Sequence, residues 1–278
     1  MDFEHSEAIW RDFPALVPAV LYAEGITCDA PTAQAAPAAQ AAPAAQADPT
    51  AQTDPTAQTD PTAPAAPAAD RFAAVARSRL AAVTAESELP EIQAWRRAFA
   101  AMGLKPTQYR CASESLLRRF RLQGNLPRVH PLVDLCNAVS MAFAIPVAAL
   151  DVSAITGSLQ VRYATGKENY LTFAGDVEHP SAGEVIFADQ AGHAHARRWT
   201  NRQSGLSAVR DSTECALIVA EALHGSARSD MAELTAVLAA ELEATWSLTP
   251  QTAILTADSP RFTSALPATT SGKRRDRQ

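Results

Sequence analysis

Apolar side chains recur at helical spacing in several segments of the chain. In one of them, Trp95 and Phe99 follow Ile92 at intervals of three and four residues, which places all three on one face of a helix. Ser113 is the predicted N-cap of another helix, and Gly124 is its predicted stop. The same periodicity predicts helices over residues 7–13, 71–84, 91–102, 113–123, 130–145 and 229–246.

Other segments alternate between apolar and polar residues, as strands with one buried face do. In residues 158–164, Leu159, Val161 and Tyr163 alternate with polar neighbours. Further strands are predicted over residues 15–23, 170–173, 184–188 and 216–220. Pro18 favours an edge position or a bulge for the first of these, because proline cannot donate to a strand ladder. Helices followed by antiparallel-looking strands indicate the α+β class.

Proline recurs every sixth residue from Pro31 to Pro67, separated almost only by Ala, Gln, Thr and Asp. Such a segment has no branched aliphatic or aromatic side chain to bury, so residues 31–70 are predicted to be a disordered, Pro/Ala-rich insertion. The early strand, residues 15–23, then pairs into the later sheet. Residues 1–30 and 71–250 are therefore predicted to form a single discontinuous domain, followed by a disordered basic tail over residues 251–278.

Several classes of protein are not expected from the composition. The longest nearly apolar run, residues 142–150, is far shorter than the ~20 residues that a membrane-spanning helix needs, so no membrane association is expected. The acidic N-terminus lacks the features of a secretory signal. The four cysteines are scattered without a C-x-x-C pair. That spacing argues for reduced thiols in a cytoplasmic protein and against a structural zinc site.

Positive charge is concentrated in two stretches. The net charge is −6, but the insertion carries four Asp residues and no Lys or Arg, so the rest of the chain is nearly neutral. Residues 96–128 contain eight basic residues against one acid, and residues 197–210 contain four arginines and no acid. Two interpretations remain open: the guanidinium groups bind phosphate or carboxylate ligands, or they form ion pairs with acids such as Glu4, Glu7 and Asp151.

Familiar catalytic signatures such as G-x-S-x-G, the P-loop, G-x-G-x-x-G and H-E-x-x-H are absent from the sequence. His193 and His195 would lie on one face of a strand, with His179 or Asp189 as further ligands of a metal ion. We favour two surface histidines over that metal site, because a third ligand is not evident. No metal and no cofactor are therefore expected.

Three groups of polar residues remain as candidates for a site. Trp199, among the arginines of residues 197–203, could stack on a nucleic-acid base, or it could be buried between ion pairs. Asp134 and Asn137 lie on the same flank of a helix as His130, where spacing alone favours capping over a ligand pocket. Glu221 interrupts an apolar run and is either a surface residue or a pocket carboxylate that binds an amine or orients a water.

Three sequence segments, taken in their order, resemble a known family. They are Ser113–Arg119 (SESLLRR), Leu126–Asn137 (LPRVHPLVDLCN) and Arg197–Gln203 (RRWTNRQ). Together they are similar to free-standing relatives of the editing domain of the phenylalanyl-tRNA synthetase beta subunit, the B3/4 domain family. The resemblance covers about residues 7–30 and 71–246. It implies an α+β domain with antiparallel and mixed sheets in a sandwich flanked by helices.

The resemblance also implies an activity, which is hydrolysis of the ester of a mischarged aminoacyl-tRNA, in trans. Its implied partners are the aminoacylated 3′ end of a tRNA and the small amino-acid moiety that it carries. The implied catalytic residues are Glu221, Asn137 and Thr213. The residues implied for substrate or tRNA binding are Arg110, Glu114, Arg118, Arg119, Asp134, Arg197, Arg198, Trp199, Asn201, Arg202 and Gln203.

This chain differs from the synthetase at one position that bears on catalysis. In the stretch from Ala144 to Asp151, Ala148 stands where the synthetase has a histidine. Two alternatives to a trans-editing enzyme are therefore kept: a non-catalytic module that binds tRNA or an amino acid, and a small-molecule enzyme that uses the same pocket. The sequence does not decide the oligomeric state.

Overall fold

The computed structural model describes residues 1–28 and 67–264, which contain helices at all six predicted places. The helices are α1 (Glu7–Asp12), α2 (Pro67–Ala81), α3 (Pro90–Ala101), α4 (Ala112–Gln123), α5 (Pro131–Phe143) and α6 (Ala227–Trp246). The strands are β1 (Asp2–His5), β2 (Val17–Glu24), β3 (Val147–Asp151), β4 (Ser158–Tyr163), β5 (Tyr170–Leu171), β6 (Val177–Glu178), β7 (Val185–Asp189), β8 (Ala194–Arg197), β9 (Arg202–Gln203), β10 (Cys215–Ala222), β11 (Gln251–Ile254) and β12 (Arg261–Thr263). This is the predicted α+β class.

Two larger sheets form the sandwich. The six-stranded sheet has the order β12-β1-β4-β7-β8-β9 and is mixed, because β1 runs parallel to β4 and the other pairs are antiparallel. The four-stranded sheet has the order β11-β2-β10-β3 and is wholly antiparallel. Strands β5 and β6 pair separately.

Strand β2 joins the early part of the chain to the late part. It pairs with β10 along its whole length, from Val17 opposite Ala222 to Glu24 opposite Cys215. The predicted pairing of this early strand into the later sheet is confirmed. The predicted edge position is wrong, because β2 lies between β10 and β11. Pro18 is tolerated since it lies one residue beyond the last β11 pair, Ile254 with Ala19.

The four-stranded sheet is buried on both faces. Along β2 and β10, side chains such as Val20 and Val219 pack between the two sheets, against residues such as Phe187 of the opposite sheet. Their neighbours Leu21 and Ile218 point the other way and pack against α5 and α6. Because side chains alternate between the faces of a strand, one run of apolar residues serves both cores.

Three differences from the predicted boundaries change the description of the chain. Helix α4 starts at Ala112 with Cys111 as its N-cap, so Ser113 lies inside the helix, whereas Gly124 ends it in the left-handed conformation, as predicted. Residues 251–264 contain β11 and β12, so the predicted disordered tail is wrong there. Residues 67–70 open α2 and do not belong to the insertion. The rest of the predicted insertion and tail lies outside the described residues.

None of the helices in the described part of the chain combines the length and the apolar character required to cross a bilayer.

Candidate functional site

A cavity of about 90 Å³ lies between α5, β3 and the turn that follows β8. It is several times larger than the ~10–15 Å³ that a single water needs. Most of its wall is aliphatic or aromatic, and the polar side chains that line it are Asn137, Thr200, Arg202, Gln203 and Glu221. An apolar hollow with a few polar groups is typical of a small-ligand site.

Glu221 lies at the end of β10 and is almost fully buried, with 2% of its surface exposed. It continues the row of Leu217 and Val219 on the face toward the six-stranded sheet, so strand alternation turns its carboxylate inward. Its Oε1 atom accepts hydrogen bonds from Trp199 Nε1 at 2.9 Å and from His5 Nε2 at 2.6 Å. Among the described residues nothing donates to Oε2, which leaves that oxygen for a ligand.

Asn137 reaches the cavity from α5, whose start is fixed by two neighbours. His130 Nδ1 accepts from Leu132 N at 3.1 Å, and Asp134 Oδ1 accepts from Val129 N at 3.0 Å. The capping interpretation is therefore confirmed for His130 and Asp134, and Asp134 is not among the residues that line the cavity. Asn137 does line the cavity, and its side-chain amide forms no hydrogen bond with any other described residue.

Trp199 forms the inner wall of the cavity and is fully buried. It follows β8 in a turn in which Arg198 and Trp199 both have positive φ, 47° and 58°, a conformation that costs roughly 1–3 kcal/mol for each such residue. The indole packs edge-on against Trp95 and Phe13, with ring centroids at 5.0 and 4.8 Å. A buried ring cannot stack on a base at the surface, so that prediction is wrong and its alternative is correct.

Arginines of the 197–203 segment are held mainly by acids. Arg197 is 6% exposed; its Nε atom donates to Glu184 at 2.9 Å, and its Nη1 atom binds Glu178. Arg202 lines the cavity but also binds Glu178, at 3.2 Å. Gln203 donates to Ala149 O at 2.8 Å. The predicted phosphate role of Arg197 is wrong, because its guanidinium is enclosed in these ion pairs.

The first arginine-rich stretch is paired in a similar way. Glu114 is fully buried and binds Arg96 at 2.5 Å, with Arg110 at 3.5 Å, so it is not available to a substrate. Arg118 faces Glu86 at 3.5 Å, whereas Arg119 is exposed and donates to Gln123. Ion pairing was one of the two interpretations of the sequence. The partners expected for it were wrong: instead of Glu4, Glu7 and Asp151, the acids are Glu86, Glu114, Glu178 and Glu184.

The two arginine-rich stretches nevertheless meet at the cavity. Asn201 Nδ2 donates to Arg110 O at 2.7 Å, and Ala112 N donates to Thr200 O at 2.8 Å. Arg198 lies over the Tyr109 ring, 4.7 Å from its centroid, and forms no ion pair with any described residue. The two stretches are therefore joined by two hydrogen bonds and one cation–π contact, and Arg198 remains available to an anion.

Thr213 is not part of the cavity wall. Its hydroxyl donates to Asp151 Oδ2 at 2.7 Å and accepts from Arg210 N at 2.9 Å, which uses its hydrogen-bonding capacity inside the fold. The role predicted for Thr213 as a pocket contact is wrong for this reason.

The cavity also contains one thiol, that of Cys136. Burial raises the pKa of Cys136 to about 12, so this thiol stays protonated at neutral pH. A protonated thiol is a poor nucleophile. The cavity-lining groups with free hydrogen-bonding capacity include the Glu221 carboxylate, the Asn137 amide and the Thr200 hydroxyl. The carboxylate and the amide suit a water-mediated reaction or the binding of an amine.

Two sets of metal-ligating side chains lie away from the cavity. His193 and His195 both face Asp189, at 3.1 and 3.4 Å. His195 is fully buried, so the prediction of two surface histidines is wrong for His195. Glu91, His224 and Asp230 each offer one ligand atom within 4.8 Å of the others. In that second set Arg79 binds Glu91 at 2.6 Å, and His224 binds Asp230 at 2.7 Å. Ion pairs within the protein therefore explain much of the clustering of these side chains in both sets.

Asp134 gives a prediction for stability. Burial raises the pKa of Asp134 to about 6, above its value in an unfolded chain. The folded state then binds the extra proton between pH ~4 and 6, so this group makes the protein less stable as pH rises through that range. The Asp134→Asn variant keeps the oxygen that accepts from Val129 and should lack this decline. Thermal melts of the wild type and the variant from pH 4 to 7 would measure this difference. Parallel curves of melting temperature against pH for the two proteins would contradict the prediction.

The fold and the cavity define a class of protein: an α+β domain with a buried carboxylate at an apolar hollow. The family model of the B3/4 domain matches residues 94–236. The chain therefore belongs to the B3/4 domain family, and the predicted resemblance is confirmed. The matched span runs from α3 into α6 and includes Asn137 and Glu221.

The chain is also similar to two individual proteins. The chain is 31% identical over 109 residues to the phenylalanine–tRNA ligase beta subunit of Shewanella oneidensis; the match covers 38% of this chain and 14% of that relative's length. It is also similar to the crystal structure of an N-terminal fragment of the phenylalanyl-tRNA synthetase beta subunit from Pyrococcus horikoshii. That likeness has a TM-score of 0.36 at 10% identity and covers 43% of this chain and 40% of the fragment.

The sequence analysis missed His5. It lies on β1, outside the span matched by the family, and its ring is 216 residues from Glu221 in sequence although the two are in contact. The available signal was the alternating pattern that places Phe3 and His5 on one face of the first strand. That pattern does not identify the residue that His5 contacts.

Proposed function

We propose that this protein hydrolyses the ester bond that links an amino acid to the 3′ end of a tRNA, in trans. The observation that carries the proposal is the position of Glu221. A carboxylate with one unused oxygen lines an apolar cavity, and the unused amide of Asn137 lines the same cavity. Membership of the B3/4 family and similarity to a phenylalanine–tRNA ligase beta subunit support tRNA as the partner. A tRNA substrate would place the protein in the cytoplasm.

In the proposed reaction, the aminoacyl group enters the cavity and its ester carbonyl lies near Asn137. A water adds its hydroxyl to the carbonyl carbon, the ester C–O bond breaks, and the water's proton ends on the released 3′ oxygen. Glu221 either orients that water or holds the α-ammonium of the amino acid through Oε2. The Asn137 amide donates to the developing oxyanion. The ester is already activated, so orientation supplies much of the effect.

Hydrolysis is tested with a panel of aminoacyl-tRNAs, both correctly charged and mischarged. The purified full chain should remove the ester from at least one member faster than buffer does. If every ester in the panel survives as long as it does in buffer, the proposed hydrolysis is wrong.

A second candidate function, binding without catalysis, is favoured by Ala148. This residue lines the cavity, at the position where the synthetase that the chain resembles has a histidine. Binding of tRNA that weakens steeply with salt, in the absence of ester loss, would select this function. Failure to bind any tRNA at low salt would favour an enzyme that acts on a small molecule.

A further inference from the structure

We propose that His5 is a positioning residue: it holds Oε1 of Glu221 so that Oε2 faces the cavity. The contact between His5 Nε2 and Glu221 Oε1 is 2.6 Å long. Both residues are buried, with 3% and 2% of their surfaces exposed. A short contact between two such groups, shielded from water, fixes their geometry more firmly than the same contact at the surface.

The strand and its neighbours set the orientation of the His5 ring. Strand β1 places His5 beside Val161 of β4 in parallel register. Phe3 and Trp10 pack edge-on against the imidazole, with ring centroids at 5.3 and 5.4 Å. The Nδ1 atom is buried and has no partner among the described residues. An ionised carboxylate oxygen can only accept, so the contact with an ionised Glu221 requires a proton on Nε2 of the imidazole.

Trp199 supplies the second donor to the same oxygen, at 2.9 Å. It comes from a different part of the chain, the turn after β8. Trp95 Nε1 in addition donates to the backbone oxygen of Glu221 at 3.3 Å. The two donors on Oε1 restrict rotation of the side chain, and the contact of Trp95 holds the backbone in place, so the position of Oε2 is set before a ligand arrives.

His5 does not line the cavity and acts only through Glu221. The consequence for catalysis rests on the proposed function. Loss of the donor should let the carboxylate rotate, and a misplaced catalytic group can cost ~100-fold in rate. The effect should fall on kcat more than on KM if Glu221 orients the water.

Four variants and one spectroscopic measurement test the proposal in the full chain. His5→Leu removes the donor at similar volume and should lower kcat about 10- to 100-fold. His5→Gln keeps a nitrogen donor near Nε2 and should recover most of that loss. Nitrogen-15 NMR of labelled histidines, with His5→Gln used for assignment, should show the Nε2–H tautomer. Its signal should shift strongly in Glu221→Gln and should not shift in Glu233→Gln, which changes an exposed carboxylate of α6.

The outcomes separate this proposal from the proposed function. If the wild-type chain hydrolyses none of the esters, the proposed function fails, and the NMR result alone decides whether His5 holds Glu221. A His5 signal that reports the Nδ1–H tautomer, or that ignores Glu221→Gln, overturns the positioning role even if hydrolysis is observed. Equal losses of activity in His5→Leu and His5→Gln would likewise overturn it, because a role in packing alone does not depend on whether the hydrogen-bond donor is retained.

Discussion

Replacement of Glu221 by glutamine is expected to slow ester hydrolysis by ~100-fold or more, with little change in thermal stability. The amide has the same shape, and its oxygen can still accept from Trp199 and His5. The atom facing the cavity then changes from an anionic acceptor to a neutral donor. Such a group neither orients an attacking water as an acceptor nor attracts an ammonium. Single-turnover deacylation of the best substrate in the panel would measure the loss.

Glu233→Gln is the matched control, since Glu233 lies on the exposed side of α6. Its rate should equal that of the wild type. A fall in kcat without a change in KM would indicate that Glu221 orients the water. A rise in KM would indicate that Glu221 binds the α-ammonium of the amino acid. Wild-type rates for Glu221→Gln would remove Glu221 from the mechanism.

Arg197→Met is expected to lower the melting temperature by about 10 °C. Burial alone would raise the pKa of Glu184, but the hydrogen bonds and charge of Arg197 outweigh it and hold that pKa below its usual value. Removal of Arg197 leaves a buried carboxylate without this partner, which typically costs ~3–5 kcal/mol. In the wild type the pair stabilises the fold above the unfolded pKa of Glu184 and is lost as the pH falls. The deficit of the variant should therefore be largest at neutral pH and shrink on acidification.

Arg198→Met is the neighbouring control. Arg198 stacks on Tyr109 and forms no ion pair with the described residues, so the melting temperature should change by only about 1–2 °C. Its affinity for tRNA at low salt should fall, because a free guanidinium is lost. The opposite pattern, a stable Arg197→Met variant with weakened RNA binding, would restore the phosphate role that the sequence predicted for Arg197.

Much of the fold could be predicted because it depends on local patterns. Helical spacing of apolar residues located α3 and α5, and proline and glycine marked their ends. The pairing of β2 into the later sheet was predicted because an early strand needs a partner. The position of β2 inside its sheet was not predictable, since β11 lies in a segment whose short alternating pattern and polar composition resemble a tail.

The site was less predictable because it depends on which distant side chains meet. Glu221 stood out as a charge in an apolar run, and Asn137 through the family resemblance. Arginine clustering does not reveal partners, so the burial of Arg197 between Glu178 and Glu184 could not be inferred. Likewise, nothing in the pattern around Thr213 showed that its hydroxyl would donate a hydrogen bond to Asp151.

The last described strand of the fold pairs with the first. Strand β12 pairs with β1, and the amino group of Met1 donates to the Ser264 hydroxyl at 2.7 Å. The histidine that braces Glu221 and the strand that carries Glu221 are thus 216 residues apart along the chain. Contacts of such long range are slow to form, because a large loop must close before they contribute. We therefore expect the cavity to form late in folding, after the helices and hairpins whose contacts are local.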